Sequence, residues 1–407
     1  MTNLQSILDY LRSAEVSYIL LIFIIFIVPK ILQRYRLPAA ISGFGLGIAA
    51  GLGLGYFQGD TTIKLLATLG IVTLFLHAGL DINIPELHRN RKVLTQHILF
   101  FIGLLFVTSL VIFWFSDLSF RVCLLIALAL VTPSTGFIID TIKSFNLSPP
   151  EKEWIRTKAV ATELVALVCM FFTLQSMSIE TFLISLTTVL ALVVFIPFLF
   201  RFFAARIAPF APNSEFAFLI MLATASAFVT RKIGAYYLVG AFVVGVAARR
   251  FQQQIPSVTS ERLIGAVELF ASFFVPFYFF YSGSLLGRDD FSSRAWILGL
   301  VMVVVMIPLR LIVVAGHRRA ALKETFREGS RVAVPMLPTL VFTLVLAQIL
   351  REQFDISNAI YGGLIIYAIV SSLIVSVVFK SQQADFSNDM LEDGLAKIRH
   401  NHGEHST

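Results

Sequence analysis

Glu163 is the residue around which chemistry can be placed. With Thr162 it lies in residues 155–172, IRTKAVATELVALVCMFF, a mostly apolar stretch long enough to cross a bilayer. A carboxylate at mid-membrane is disfavoured by roughly 2.5–3.5 kcal/mol on insertion scales, so it faces water or a partner and by default marks a proton or ion path. A group that holds either a proton or a cation, but not both, couples the two by competition. The plainer reading is a protonated acid hydrogen-bonded inside a helix bundle. Thr132, Ser134 and Thr135 supply neutral oxygens suited to a partly dehydrated monovalent cation, as does Thr162, although membrane Ser and Thr also bond their own helix. Arg310, in VMIPLRLIVVAG, is the counter-charge. It either snorkels to the cytoplasmic face or neutralises Glu163, Asp140 or the carbonyl end of a broken helix. Asp140 reads as part of a cytoplasmic funnel, and His77, in LFLHAGLD, as a proton shuttle or a packing histidine. Glu215 and Glu268 lie near inner span ends and read as structural.

The elements that must position these residues are membrane helices. The chain has 407 residues, of which 57% are hydrophobic and 14% charged, against roughly 25% charged in soluble proteins. The fold class expected is an all-α polytopic membrane protein. The net charge of +7 does not point to nucleic acid, because the basic residues lie in short joins between apolar runs, as orientation signals do. Cys123 and Cys169 both fall in apolar segments, so neither a disulfide framework nor a metal site is expected, and no cofactor. No Walker lysine motif, dinucleotide glycine fingerprint or nucleophile elbow occurs, which argues against ATP drive and against an enzyme. The first apolar run is long and ends in basic residues, so it reads as a retained helix, not a signal peptide.

About thirteen spans can be drawn, near 16–34, 37–57, 63–82, 94–115, 118–144, 153–178, 179–205, 214–230, 233–250, 260–286, 294–316, 326–350 and 357–379. With the N-terminus outside and the C-terminus cytoplasmic, about 23 Lys and Arg fall inside and about 8 outside. Residues 381–407 form a polar cytoplasmic tail. Its His400, His402 and His405 read as binding nothing in particular.

Two spans are expected to be broken. The fifth contains Thr132-Pro133-Ser134-Thr135-Gly136, and the twelfth contains Pro335-Met336-Leu337-Pro338-Thr339. Interrupted helices at matching places in two halves are the sequence pointer to a transporter site. Seven spans apart, the two breaks run in opposite directions, which makes spans 4–6 and 11–13 an inverted pair of three-helix units. Pro133, Glu163 and Pro335 all lie about 14–17 Å deep at 1.5 Å per residue. The second span carries Gly43, Gly47, Gly51 and Gly55 on one face, which predicts close helix packing within the protein in preference to a dimer contact.

The chain resembles the Kef-type and related bacterial sodium/proton exchangers, the monovalent cation:proton antiporter-2 family, over about residues 15–380. The resemblance rests on RLPAAISGFGLGIAAG (36–51), LGIVTLFLHAGLDINIPEL (69–87), LALVTPSTGFIIDTIKSF (128–145), KAVATELVALV (158–168), IGAYYLVGAFVVGV (233–246) and VPFYFFYSGSLL (275–286). It implies an inverted-repeat fold with two crossed, discontinuous helices in a mobile core (helices about 63–178 and 260–379). A scaffold (about 16–57 and 179–250) would form a homodimer, in a bilayer that is expected to be a bacterial cytoplasmic membrane. It also implies exchange of Na⁺ or K⁺ for H⁺. Family members carry two aspartates, or a neutral polar residue plus aspartate, where this chain has Thr162-Glu163. One acid, with Arg310 as the basic residue of span 11, favours electroneutral exchange. A same-fold carrier of a small organic anion, a cation-coupled symporter or a non-transporting membrane sensor are the alternatives. A roomy cavity lined by Tyr278, Tyr281 and Ser282 would favour the organic substrate.

Overall fold

The structure, a computed structural model, describes residues 14–35, 37–55, 57–82, 91–142, 147–175, 178–211, 214–234, 236–254 and 261–378. Asp140 falls in a helix, but its side chain lies outside the described residues, as does the His-bearing tail.

The described chain is helical throughout. The helices are α1 (Ala14–Gln33), α2 (Ala39–Ile48, continued by a π-turn to Leu54), α3 (Thr61–Leu80), α4 (Arg91–Trp114), α5 (Phe120–Val131), α6 (Thr135–Ile142), α7 (Pro149–Gln175) and α8 (Ile179–Phe202). They continue with α9 (Glu215–Lys232), α10 (Tyr236–Gln254), α11 (Glu261–Ser284), α12 (Ser293–Leu322), α13 (Phe326–Ala333, with a 3₁₀ turn to Met336), α14 (Leu340–Phe354) and α15 (Asn358–Val378). Among the described residues nine helices are long and apolar enough to cross a membrane, or ten if the bent pair α13–α14 is one span. The second, eighth and ninth expected spans do not meet that standard by themselves. Helix α2 is short and interrupted, α9 carries Glu215, Arg231 and Lys232, and α10 ends in Arg249 and Arg250.

Burial separates centre from periphery. The α5 span is 83% buried and apolar on every side, whereas α1 and α8 are 17% and 11% buried and turn rows of Ile, Leu, Val and Phe outward. Helices hydrophobic all round suit the first setting, and lipid-facing helices the second.

The helices pack as two groups. Helices α4, α5–α6 and α7 associate with α12, α13–α14 and α15, while α2, α3, α9, α10 and α11 form the other, with α8 against α10 and α1 against α2. In one respect these packing groups differ from the expected core and scaffold. Helices α3 and α11, which the sequence reading placed with the broken helices, pack chiefly on each other, α3 also on α10 and α11 also on α2. The cause is a set of close backbone approaches. A Cβ on Gly70 of α3 would strike the Phe274 carbonyl of α11, and one on Gly79 the Phe242 carbonyl of α10. The α2 glycines behave as expected at two positions. Gly47 lies against the backbone at Phe280 of α11 and Gly51 against that at Ser284, whereas Gly43 has ordinary room and Gly55 caps the helix at φ +66°. Replacing Gly47 by Ala should therefore cost about 1–3 kcal/mol, as forced overpacking does. Unfolding of the purified variant measures it, and an unchanged midpoint would refute the internal contact.

Candidate functional site

Two breaks lie at the centre of the first group. Pro133 cannot donate to the helix, and the residue before it is pushed out of helical geometry. Thr132 accordingly has φ −75° and ψ 120°, and α6 restarts at Thr135. In the other half, α13 tightens into a 3₁₀ turn at Pro335, and α14 begins after Thr339 at an angle of 54°. Each break frees backbone donors and acceptors that must be satisfied away from water.

The two halves satisfy each other. The Ser134 N–H donates to the Pro338 carbonyl at 2.8 Å. Its hydroxyl oxygen accepts from the Val341 N–H at 3.0 Å, which caps the start of α14. Thr343 returns a bond from α14, its hydroxyl donating to the Ala129 carbonyl of α5 at 2.7 Å. The carbonyl ends are met by Arg310, only 5% exposed. Its guanidinium donates to Met336 O at 2.6 Å, Leu337 O at 2.7 Å and the Tyr367 hydroxyl at 3.0 Å. Tyr367 in turn donates to the Leu130 carbonyl at 2.8 Å. Of the roles open to Arg310, the structure selects the neutralised carbonyl end: α13 directly, and α5 through Tyr367. Snorkelling is excluded, and no bond from Arg310 reaches Glu163. Ser134→Ala should cost about 1–2 kcal/mol through the lost cap, measured by unfolding; no change would show that the cap carries no weight.

Glu163 is buried on α7 at the start of α6, with the Thr135 hydroxyl and backbone N–H as its nearest polar neighbours. A helix N-terminus carries partial positive charge and favours a carboxylate there. It shares a small cavity with Leu74, Ala78, Ser134, Thr135 and Val341, so α3 supplies one wall. The Thr132 hydroxyl is buried and has no hydrogen-bond partner, and the Thr135 hydroxyl is buried beside the carboxyl. In a crossing where the other freed groups described above are paired, such oxygens are available to a ligand. The chemistry offered is one acid with neutral oxygens beside it.

The other expected site residues divide. Ser134 is committed to capping α14, so its hydroxyl serves the crossing. Thr162 points away from Glu163, as consecutive helical residues do, about 100° apart. Its hydroxyl donates to the Lys158 and Ala159 carbonyls, both at 2.9 Å, and it lines a second cavity with Pro133, Lys158 and Arg310. Thr162 thus bonds its own helix, and the structure does not bring it to the Glu163 cavity. Pro335 and Pro338 sit at the second break as expected. His77 stands 3.5 Å from Asp81 through Nδ1 and 3.5 Å from Glu268 through Nε2, next to the cavity-lining Ala78 but not in the cavity. Asp81 also takes Arg156 at 3.0 Å.

Sequence reasoning passed over two residues. Tyr367 sits in an ordinary apolar run with nothing to single it out. Lys158 lies near the start of the sixth expected span, yet it is buried within α7. Its distance from the first turn of α7 was the available signal. Among the described residues no group of three or more His, Cys, Asp or Glu could hold a metal ion.

Crossed broken helices, one buried acid and an arginine on the carbonyl ends define a secondary-transporter architecture. The chain belongs to the transmembrane sodium/hydrogen exchanger family, whose model matches residues 19–381, and it is an integral membrane protein. It is 24% identical over 383 residues to Probable Na(+)/H(+) antiporter 3 of Methanocaldococcus jannaschii, covering 89% of this chain and 95% of that one. It is 23% identical to Na(+)/H(+) antiporter NhaS5 of Synechocystis, covering 90% of this chain but only 53% of the relative's length. The fold matches the sodium proton antiporter MjNhaP1 of M. jannaschii at pH 8 with TM-score 0.65 and 15% identity, over 90% of this chain and 95% of that one. That match establishes that the two chains share a fold, all-helical here with nine or ten apolar spans among the described residues.

Proposed function

We propose that the protein is a secondary antiporter that exchanges a monovalent cation, Na⁺ or K⁺, for a proton at Glu163, one for one. Membership of the sodium/hydrogen exchanger family supports the exchange itself. The observation that supports the residue is a single buried carboxyl at the crossing of the two breaks, sharing its cavity with Thr135, with the unpartnered Thr132 hydroxyl at the first break. Cation and proton compete for that carboxylate, and the cation takes its remaining ligands from Thr135, Thr132 and water. The finer kinship with Kef-type members rests on the quoted stretches and the single acid. Neither cavity described above includes Tyr278, Tyr281 or Ser282, which leaves the roomy organic-substrate site without support.

The same reading takes the six-helix group as the moving core and the glycine-rich group as a scaffold that pairs as a homodimer. Loop charge supports an outside N-terminus and a cytoplasmic C-terminus, with a bacterial cytoplasmic membrane as the setting. Asp81, His77 and Glu268 belong to the approach to the Glu163 cavity.

The test is flux in proteoliposomes. An imposed Na⁺ or K⁺ gradient should move protons. The single acid is neutralised by a cation on one leg and by a proton on the other, so no net charge crosses. The rate should therefore not respond to an imposed membrane voltage. A clear voltage dependence would sink the one-for-one stoichiometry, and no proton movement under any cation gradient would sink the exchange.

A further inference from the structure

The second cavity contains a charge imbalance that cation exchange does not use. Lys158 is 5% exposed and lines this cavity with Thr162 and Arg310. Among the described residues the charges beside Lys158 are Arg318 and Arg310, both of its own sign. Arg318 is already neutralised by Glu324, through bonds of 2.7 and 2.5 Å. Arg310 spends three of its N–H groups on neutral oxygens and keeps its full charge. The nearby His97 and His317 are bonded to each other through Nδ1 at 3.2 Å and bring no negative charge. The recorded support for the Lys158 ammonium is the Trp154 ring, 5.2 Å from Nζ, which Arg318 shares at 4.6 Å. No carboxylate is paired with Lys158 among the described residues. Buried charges are otherwise paired, because an uncompensated ion in a low-dielectric interior is severely penalised.

We infer that this cavity holds a small monatomic anion, of the halide class, between the Lys158 ammonium and the Arg310 guanidinium. The donor set decides the class. Thr162, the third polar residue on the wall, has its proton committed to backbone carbonyls, and the remaining lining is apolar, Phe101, Leu104, Val131 and Met336 among it. An oxyanion would place several oxygens against walls that offer no hydrogen bond. A spherical halide needs only the two cationic heads and tolerates apolar surroundings. The cavity lies across the Pro133 break from Glu163, so the anion compensates the crossing without competing for the cation.

The experiment uses the full chain purified with choline as the sole added cation, which separates it from any failure of the exchange reading. Equilibrium dialysis with radioactive chloride should show one saturable site per chain, displaced by bromide but not by gluconate. Unfolding in choline chloride should lie about 3–5 °C above that in choline gluconate, as a ligand bound only by the folded state requires. Lys158→Met should abolish both responses. The proposal is overturned if the parent protein binds no chloride and unfolds identically in the two salts, which would mean that Lys158 is neutral in place. It is equally overturned if Lys158→Met folds and still binds. Should that variant not fold, the binding stoichiometry of the parent protein decides.

Discussion

Glu163→Gln should give a folded protein that moves no protons in response to a cation gradient. The amide matches the acid in size and needs no proton, so it fits the same cavity and leaves the crossing intact. What it lacks is a charge to hold the cation and a proton to exchange for it. In proteoliposomes loaded with a pH-sensitive dye, the dequenching caused by added Na⁺ or K⁺ should fall to the level of empty vesicles. Unfolding temperature should stay within a few degrees of the parent. Glu163→Asp keeps both charge states on a shorter arm, so coupled exchange should persist with a higher half-saturating cation concentration. If the glutamine variant exchanges at the parent rate, the carboxyl is structural and the cation site lies elsewhere.

Arg310→Met is expected to have the largest effect on stability. The substitution removes three bonds at once and leaves the Met336 and Leu337 carbonyls buried at the end of α13. Unpaired buried polar groups cost about 1–3 kcal/mol each, so a loss of about 3–5 kcal/mol is expected in detergent unfolding. Tyr367→Phe deletes only the bridge to Leu130 and should cost about 1 kcal/mol. Lysine is no remedy at position 310, because one ammonium cannot spread over two adjacent carbonyls and a tyrosine as a planar fork does. A methionine variant as stable as the parent would mean that the carbonyl end of α13 finds another partner.

The sequence disclosed the breaks and the acid because prolines and charges inside apolar runs are local signals. Pro133 and Pro335 announce interruptions wherever the chain goes, and Glu163 is expensive in any membrane context. The partner of Arg310 was less legible. Four roles fit its position, and only the meeting of α12 with the end of α13 reveals the carbonyl contacts it makes. Thr162 shows the limit of adjacency: it neighbours Glu163 in sequence, but helical rotation sends it to the other cavity. The packing of α3 on α11 was not legible, because hydropathy says which helices are in the membrane, not which neighbour they choose. That choice lay in Gly70 and Gly79, whose periodic spacing on α3 is weaker than the stripe on α2. Lys158 was hidden by its own charge, since basic residues near span ends are ordinarily read as topology markers.

The mutual bracing of the two breaks bears on how anything gets through. Ser134, Thr343, Arg310 and Tyr367 stitch one half of the fold to the other across the midplane, so neither interrupted helix can fray or pivot alone without exposing the other's backbone to hydrocarbon. A displacement of either interrupted helix therefore carries the other with it, the stitched knot shifting as one body. The α3 wall is where that knot meets the other group: the cavity faces Leu74 and Ala78 there, and Arg156 of α7 reaches Asp81 at the end of α3 at 3.0 Å.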